Sequence, residues 1–229
     1  MIIVLGGWSA AAAVAQCQYE IIERQRRRGM KGTLKVISWN LWHRKGALLA
    51  DVSALITAEQ PDLLFMQEAK QPLQDLPQTV GGHVLWQPMQ RRVYGLAVWS
   101  RHELHGFHSV PLPISPFPWR VPPRLAQLAQ LGDVIFANVH LSHGQMLNRR
   151  QLLAVAEATT GPTVIVGDCN AVGVLLIPGF DEVGPMAPTH RLRTRLDRCL
   201  LRGLTCRQAR VLARGPSDHH PIEMLISRI

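Results

Sequence analysis

The stretch VIVGDCNA, residues 164–171, begins as a buried strand and ends in polar side chains. Its continuous run of Val, Ile and Val is typical of a strand that is covered on both faces. Asp168 and Asn170 follow directly, and a carboxylate at the end of a buried strand costs free energy unless it is paired or used. The plainer interpretation is an Asx turn, in which Asp168 bonds to the backbone two residues on. This stretch alone does not distinguish a turn from a functional site.

Five further predicted strands carry the same kinds of side chain at their ends. These are Asn40 after LKVISW, Glu68 after DLLFMQ, His140 after FANV, Asp197 before RCLL, and the pair Asp218 and His219 before PIEMLI. Each has an ordinary explanation when taken alone, as a turn residue, an exposed strand end or a core histidine with a partner. Because six strands share the feature, we expect these side chains to meet at one end or face of the sheets.

Strands and helices alternate from Thr33 onward. Apolar residues recur at helical spacing in 46–60 and 144–158, and strand-like runs precede and follow each of these helices. The proline-rich stretch 111–123 is expected to be a surface loop. Since no repeat, low-complexity tract or linker divides the chain after this start, the sequence predicts a single α/β domain over 30–229.

The first 29 residues have a different character. An apolar run over 1–16 is followed by a cluster of arginines over 24–28. The run is shorter than the ~20 apolar residues of a spanning helix and lacks the positive n-region of a secretory signal. We interpret 1–29 as an over-extended start before a natural start at Met30, and we expect a cytoplasmic protein. A weak membrane anchor through 1–16, with its basic flank in the cytoplasm, is the alternative.

The chain carries a formal net charge of +9. This surplus favours association with polyanions such as nucleic acid or anionic lipid, although a basic surface without such a partner is the alternative. Arg191, Arg193 and Arg195 alternate, so in an extended segment they would share one face and follow a phosphate backbone, unless that face is merely solvated. Trp119, in the proline-rich loop, is the candidate for stacking on a base. We expect a nucleic acid or another phosphoester as substrate, no obligate protein partner and a monomer.

The carboxylate and amide oxygens at the strand ends favour a hard divalent cation, Mg²⁺ or Mn²⁺. Zinc would require more His or Cys ligands in closer spacing, and the four cysteines show no such spacing. A histidine beside such acids serves as a general base or as a donor to a phosphate oxygen. The set therefore predicts metal-assisted phosphoester hydrolysis with water as the nucleophile.

In their order along the chain, these motifs resemble those of the endonuclease/exonuclease/phosphatase superfamily, which has the DNase I-like fold. The matching motifs are SWN (38–40), PDLLFMQE (61–68), NVHLS (138–142), VIVGDCNA (164–171), RLDRCL (195–200) and PSDHHPI (216–222). The resemblance implies an α/β fold, a four-layer α/β/β/α sandwich with two central, mostly antiparallel β-sheets, and a site at one rim of the sheets.

The resemblance also implies roles for the metal ligands. Glu68 corresponds to the main ligand, with Asn40 beside it and Asp218 in contact with a second ion. His220, next to the implied catalytic histidine, corresponds to a bystander. Trp42 stands where abasic-site endonucleases of this superfamily carry an acid, so the resemblance does not extend to abasic-site repair.

The remaining residues are implied to handle water and phosphate. Asp168 and Asn170 orient the attacking water and hold the phosphate, and His140 and His219 contact phosphate oxygens. Asp197 fixes the tautomer of His219 and raises its basicity. Either the pair of His219 and Asp197 or Asp168 takes the proton of the water.

Three functions follow, in order of preference. The first is a divalent-metal-dependent nuclease or phosphodiesterase that cleaves nucleic-acid phosphodiester bonds. The second is a phosphatase or phosphodiesterase of small-molecule or lipid phosphates, which a real anchor at 1–16 would favour. The third is a catalytically silent nucleic-acid-binding module, against which the intact set of acids argues, since binding alone needs no metal ligands in a cationic groove.

Overall fold

Two six-stranded β-sheets form the centre of the molecule in the computed structural model, which describes residues 32–117, 119 and 121–229. The predicted leader, residues 1–29, lies outside the described residues. In chain order the elements are β1 (Thr33–Asn40), α1 (Leu49–Glu59), β2 (Leu63–Ala69), a 3₁₀ helix (Gln71–Asp75), α2 (Leu76–Val80), β3 (His83–Pro88), β4 (Gly95–Ser100), β5 (His105–Pro111), β6 (Leu125–Leu131), β7 (Val134–His140), α3 (Gln145–Glu157), β8 (Thr163–Asp168), β9 (Asp181–Glu182), β10 (Asp197–Arg202), β11 (Leu204–Val211) and β12 (Ile222–Arg228).

Each sheet contains one parallel pair of strands at its centre. The first sheet has the order β11-β12-β1-β2-β4-β3 and the second has the order β5-β6-β7-β8-β10-β9. The pairs β1–β2 and β7–β8 are parallel, whereas the other described pairs are antiparallel. A parallel pair requires a crossover connection, which α1 supplies in the first sheet and α3 in the second. The carboxyl ends of both parallel pairs therefore carry the predicted residues Asn40, Glu68, His140 and Asp168.

The two sheets pack face to face, and helices cover their outer faces. Because successive side chains alternate across a strand, Val36 and Phe65 point into the apolar layer between the sheets, whereas Ile37 and Met66 pack in the layer with α1 and α2. On the second sheet, Leu152 of α3 belongs to a third apolar layer. The predicted four-layer α/β/β/α sandwich with mostly antiparallel sheets is confirmed.

The predicted helices 46–60 and 144–158 are observed as α1 and α3. The stretch 111–123 is a connection between β5 and β6, as predicted, whereas the two short helices between 71 and 80 were not predicted. Within the described residues, no helix is both long and apolar enough to cross a lipid bilayer.

Gly167 is required by the close approach of β7 and β8. Its φ is 143°, and a Cβ atom placed there would lie 2.0 Å from the carbonyl oxygen of Val139. Any side chain at this position would push the two strands apart directly before Asp168. The glycine of VIVGDCNA therefore helps to position the carboxylate that follows it.

A buried polar contact joins the two sheets next to the strand ends. Gln67 Nε2 donates to Asn138 Oδ1 at 2.8 Å, and Asn138 Nδ2 lies 3.1 Å from the Met66 carbonyl oxygen and 3.0 Å from that of Ala97. Gln67 and Asn138 are both fully buried. Such contacts are specific in direction, so they fix the position of β2 relative to β7.

Arg198 is buried, at 1% exposure, and connects three segments of the chain. Its guanidinium pairs with Glu182 and donates to the carbonyl oxygens of Ala171, Gly173 and Arg195. The segments that follow β8 and precede β10 are therefore held to β9 by one side chain. This arginine serves the structure of the loops and is not part of a solvated basic face.

We expect Arg198→Met to lower the free energy of unfolding by about 2–3 kcal/mol. The carbonyl oxygens lose their donor, whereas Glu182 keeps its ion pair with Arg195, at 2.6 Å. Urea unfolding followed by circular dichroism measures the change. The exposed Arg207→Met is the control and is expected to change stability by less than about 0.5 kcal/mol. Equal stabilities for the two variants would contradict the role of Arg198.

Candidate active site

A cavity of about 490 Å³ lies at the edge where the parallel strand pairs end. Seven of the eight predicted catalytic and metal-binding residues line it, namely Asn40, Glu68, His140, Asp168, Asn170, Asp218 and His219. The eighth, Asp197, is fully buried behind His219. The structure therefore brings the predicted residues together, while their individual roles stay predictions.

Asp168 is the centre of the hydrogen bonds in the cavity. Its Oδ2 accepts from Asn40 Nδ2 at 2.9 Å, and its Oδ1 accepts from the backbone N–H of Asn170 at 2.9 Å. The Nε2 atoms of His140 and His219 lie 3.5 and 3.8 Å from Oδ2. Burial raises the pKa of Asp168, although the positive charge of His219 opposes this shift. One carboxylate thus contacts an amide, a backbone donor and two imidazoles.

The imidazole of His219 is held in place from several sides. Its Nδ1 lies 2.8 Å from Asp197 Oδ2, its backbone N–H donates to Ser217 Oγ, and its carbonyl oxygen accepts from the indole N–H of Trp39. Burial lowers the pKa of His219, but the carboxylates of Asp197 and Asp168 outweigh burial and raise this pKa to about 10. With Nδ1 bonded to Asp197, the Nε2 atom is the one that faces the cavity.

Stability is expected to fall as the pH rises above 7. The pKa of His219 is about 10 in the folded chain, against an ordinary value of 6.5. The stabilisation by the protonated imidazole is therefore complete below about pH 6.5 and is lost as the pH approaches 10. The loss between about pH 7 and pH 9.5 should be about 1–3 kcal/mol. Denaturant unfolding at the two pH values measures it, and Asp197→Asn should reduce the difference. A wild-type chain that is equally stable at both values would contradict the expectation.

Glu68 reaches the cavity through an unusual backbone conformation. Its φ is 53°, and it lies at an irregularity in the pairing of β2 with β4, between Gln67 and Ala69. Such a conformation costs about 1 kcal/mol or more for a residue with a side chain, and it turns the carboxylate out of the strand. Glu68 Oε2 accepts from the backbone N–H of His43 at 2.9 Å and also contacts His43 Nδ1. His43 is not among the predicted residues, because nothing in the sequence places it beside Glu68.

Asp218 lies beside a second histidine that was not predicted. His190 Nε2 is 3.6 Å from Asp218 Oδ2, and the ring of His190 packs edge-on against that of His219 with centroids 4.8 Å apart. The ligand atoms of these three residues lie within 4.8 Å of one another, a spacing that could hold a metal ion. The signal available in the sequence was the position of His190 directly before Arg191, in a segment for which only the arginines were predicted to bind phosphates.

Arg124 is a buried cation at the wall of the cavity, and it was also not predicted. It is 9% exposed, and its Nε atom has no hydrogen-bond partner among the described residues. Among the described residues, the hydrogen-bond partner of its guanidinium is the sulfur of Met89, which lies 3.7 Å from Nη1. Burial lowers the pKa of Arg124, while the negative charges of Asp168 and Glu68 favour its charged form. Since a buried guanidinium without an anionic partner is costly, this residue suits an incoming anion.

The predicted substrate-binding residues do not form one surface. Arg191 lines the cavity and stacks over Trp42, with its guanidinium carbon 5.3 Å from the ring centroid. The segment around Arg193 is a turn, in which its N–H donates to His190, so the expected extended segment is not present. Arg195 pairs with Glu182. The shared face of three arginines is therefore corrected to a single cavity residue, Arg191.

Trp119 is 77% exposed, and its ring contacts that of Phe117 edge-on at 5.6 Å. It is not among the described residues that line the cavity. A stacking role for Trp119 inside this cavity has no support in the structure.

The donors around the cavity fit a hard divalent cation. Glu68 and Asn40 supply a carboxylate and an amide oxygen from neighbouring parallel strands, β2 and β1. Asp218 supplies a further carboxylate on the wall that includes His190. Oxygen ligands of this kind, with room left for water and a phosphate, are those that Mg²⁺ and Mn²⁺ prefer.

Comparison with protein families agrees with the geometry of the cavity. The sequence profile of the Endonuclease/Exonuclease/phosphatase family matches residues 37–219, which is most of the chain. Among curated proteins, no sequence matches this chain.

Solved structures share the fold at low sequence identity. An endonuclease/exonuclease/phosphatase from Beutenbergia cavernae DSM 12333 is 20% identical, with a TM-score of 0.66 over 86% of this chain and 72% of its own. A mannosyl-6-phosphatase from Bacteroides thetaiotaomicron VPI-5482 is 16% identical, with a TM-score of 0.68 over 85% and 99% of the two chains. The human Nocturnin catalytic domain, solved with a bound sulfate anion, is 17% identical, with a TM-score of 0.65 over 87% and 96%. By its sequence profile and its fold, this chain belongs to the endonuclease/exonuclease/phosphatase family of phosphoester hydrolases.

Proposed function

We propose that this chain is a divalent-metal-dependent phosphodiesterase that uses water as the nucleophile. The observation that carries the proposal is the pair of His219 and Asp197, 2.8 Å apart, beside Asp168 in the same cavity as Glu68. An imidazole oriented by a buried carboxylate, next to oxygen ligands for a cation, is an arrangement suited to phosphoester hydrolysis.

Different residues of the cavity would carry out different parts of the reaction. Glu68 and Asn40 would hold the cation, which when bound neutralises phosphate charge and makes water a stronger nucleophile. Asn170, whose Nδ2 is fixed by the Leu141 carbonyl oxygen, keeps Asp168 in place through its backbone N–H. Asp168 lies where the proton of the water would be taken, whereas His219 would take this role only with Nε2 unprotonated and would otherwise donate to a phosphate oxygen. His140, Arg124 and Arg191 line the cavity and would contact the phosphate oxygens.

Nucleic acid is the first candidate substrate. Three arginines line the cavity, namely Arg44, Arg124 and Arg191, and the chain carries a formal net charge of +9. Cations around the site would contact the phosphates that flank the scissile bond and would make binding depend on salt. The products formed when the chain cleaves a plasmid would show whether cleavage is endonucleolytic or exonucleolytic.

A lipid or small-molecule phosphoester is the second candidate. The observation in its favour is a group of exposed apolar side chains next to the cavity, among them Val172, Val174 and Leu176, each more than 70% exposed. Such side chains do not contribute to contacts with a nucleic-acid backbone, whereas they suit an apolar substrate or surface.

The two candidates are separated by incubating the chain with plasmid, single-stranded DNA, RNA and bis-p-nitrophenyl phosphate, with Mg²⁺ or with EDTA. Cleavage of nucleic acid that stops with EDTA supports the first candidate. Turnover of the generic diester without nucleic-acid cleavage supports the second. Salt-sensitive binding of nucleic acid without any turnover would overturn the proposal in favour of a binding module.

Arg124→Ala is expected to lower kcat/KM for bis-p-nitrophenyl phosphate by about tenfold to 100-fold, because a buried guanidinium aimed at the phosphate contributes about 1.5–3 kcal/mol. Arg124→Lys should recover only part of the loss, since an ammonium cannot reproduce the forked geometry. The exposed Arg207→Ala removes the same charge from β11 and serves as the control. If Arg124→Ala and Arg207→Ala had the same kcat/KM, this role of Arg124 would be wrong.

A further inference from the structure

The connection after β8 exposes large apolar side chains in a regular alternation. Ala171, Leu175 and Ile177 point inward and pack in the layer between the second sheet and α3. Val172 and Leu176, which alternate with them, are 74% and 71% exposed. The inward residues explain how the segment is held to the domain. The outward residues have no such structural explanation, because polar side chains there would leave the packing unchanged.

Two other segments of the chain add further exposed apolar side chains. Met146, at the start of α3, is 83% exposed, and Phe117 and Trp119 in the β5–β6 connection are 54% and 77% exposed. We call the six side chains of these three segments the apolar rim; its members are Phe117, Trp119, Met146, Val172, Val174 and Leu176. A shallow groove of about 280 Å³ lies within it, between Met146 and Leu176.

Hydrogen bonds from side chains of α3 join these three segments. Gln151 Nε2 of α3 donates to the Pro113 carbonyl oxygen at 2.8 Å, and Asn148 Nδ2 contacts the carbonyl oxygens of Cys169 and Asn170 at 3.3 Å. Asn148 and Gln151 are fully buried. Met146, Val174 and Leu176 therefore form one surface around the shallow groove, and α3 also holds the start of the β5–β6 connection.

The segments that carry the apolar rim lie next to cavity residues in sequence, and their charged side chains are arginines. Asn170 and His143 line the cavity, and they precede Val172 and Met146 by two and three residues. The ranges 112–124 and 141–150 contain two arginines each, 169–180 contains none, and the three ranges contain no Asp or Glu. The exposed Arg149 also lines the shallow groove. Apolar side chains flanked by cations, without acids, match a surface that is apolar in its interior and anionic at its edge.

We propose that the apolar rim docks this chain onto a lipid bilayer that contains anionic lipid, with the cavity facing the headgroup layer. Aliphatic side chains that project singly from loops gain free energy when they enter the acyl region, and a Trp ring and arginines suit the interface above it. Nucleic acid would not favour Val, Leu and Met at its contact surface, because these side chains neither stack on bases nor bind phosphates. The docking requires no catalysis, whereas entry of a membrane phosphoester into the cavity rests on the proposed function.

The first test is sedimentation of the full chain in EDTA with vesicles of phosphatidylcholine alone or mixed two-to-one with phosphatidylglycerol. We expect binding to the mixed vesicles, and Val174→Ser/Leu176→Ser should weaken it by at least about tenfold. Ile229→Ser is the matched control, because Ile229 is 93% exposed and follows the end of β12 that lies away from the cavity. The absence of vesicle binding, or an equal effect of the control, would overturn the proposal.

The second test measures how much Arg149 contributes to vesicle binding and whether Trp119 enters the acyl region. Arg149→Gln should weaken binding to the mixed vesicles by about fivefold, whereas Arg207→Gln, which removes an exposed arginine from β11, should change it by less than about twofold. Brominated acyl chains should quench a part of the tryptophan fluorescence that is lost in Trp119→Phe. Vesicle binding without this quenching would show that another part of the chain inserts, and would overturn the assignment to the apolar rim.

A second copy of this chain is the other occupant that the same surface allows. If the rim variants abolished a concentration-dependent dimer in sedimentation velocity, and the wild-type chain did not bind vesicles, the rim would be a self-association surface and the membrane proposal would be wrong. Because these measurements use EDTA and no substrate, their outcome is separate from that of the hydrolysis assays.

Discussion

Glu68→Ala is expected to reduce metal-dependent hydrolysis by at least about 100-fold. The carboxylate is turned into the cavity by a left-handed backbone conformation at an irregularity of β2, which has a free-energy cost and no role in the packing of the sheet. Its removal takes away the carboxylate ligand next to Asn40. The rate of bis-p-nitrophenyl phosphate hydrolysis in saturating Mg²⁺ or Mn²⁺ measures the effect.

A second measurement separates loss of the cation from loss of the fold. Calorimetric titration with Mn²⁺ should show at least about tenfold weaker binding in Glu68→Ala, and the unfolding transition shows whether the variant is folded. Glu103→Ala is the matched control, since Glu103 is exposed and lies beyond the end of β4, opposite the cavity. If Glu68→Ala lowered the rate by less than about tenfold and bound Mn²⁺ as tightly as the wild type, the metal ligand would have been assigned to the wrong residue.

His219→Ala is expected to lower the same rate by about 100-fold to 10,000-fold, the range for loss of an oriented general acid or base. Asp197 is fully buried, and its Oδ2 is used in orienting His219. Asp197→Asn should therefore lower the rate as well, and it should displace the pH dependence of the rate, because the pKa of His219 depends on this carboxylate.

The adjacent histidine supplies the control for this experiment. His220 Nδ1 lies 3.0 Å from the Leu212 carbonyl oxygen, and His220 is not among the described residues that line the cavity. His220→Ala removes the same kind of side chain one position away, so its rate is expected to stay within about threefold of the wild type. If the two alanine variants had similar rates, the assignment of the catalytic imidazole would fail.

The arginines between 191 and 210 show how identical residues in one stretch acquire different functions. Arg198 is buried in a network of carbonyl oxygens, Arg195 pairs with Glu182, and Arg191 alone of the predicted three faces the cavity. Arg210 binds Glu223 through two hydrogen bonds at the far sheet edge. A local pattern of alternating charges did not predict this division, because each guanidinium is used by whichever segment the fold brings next to it.

The residues that the sequence analysis missed share one property. His43 acts on Glu68, His190 acts on Asp218, and Arg124 faces the cavity from the start of β6. None of them stands at an end of one of the six predicted strands that were used to select candidates. Their roles arise from contacts between segments that are distant in the chain, and no spacing in the sequence encodes those contacts.

The sequence by itself determined the class of the fold and the set of polar strand ends. Runs of apolar residues define buried strands, and a carboxylate or imidazole at the end of such a run is costly enough to indicate a use. The parallel pairs β1–β2 and β7–β8 then place Asn40, Glu68, His140 and Asp168 at one edge, because a helical crossover returns each chain to the same side. Only the tertiary structure decided which arginine faces the cavity and which apolar side chains surround it. These features depend on distances between loops that are far apart in the chain, and the periodicity of the sequence carries no information about such distances.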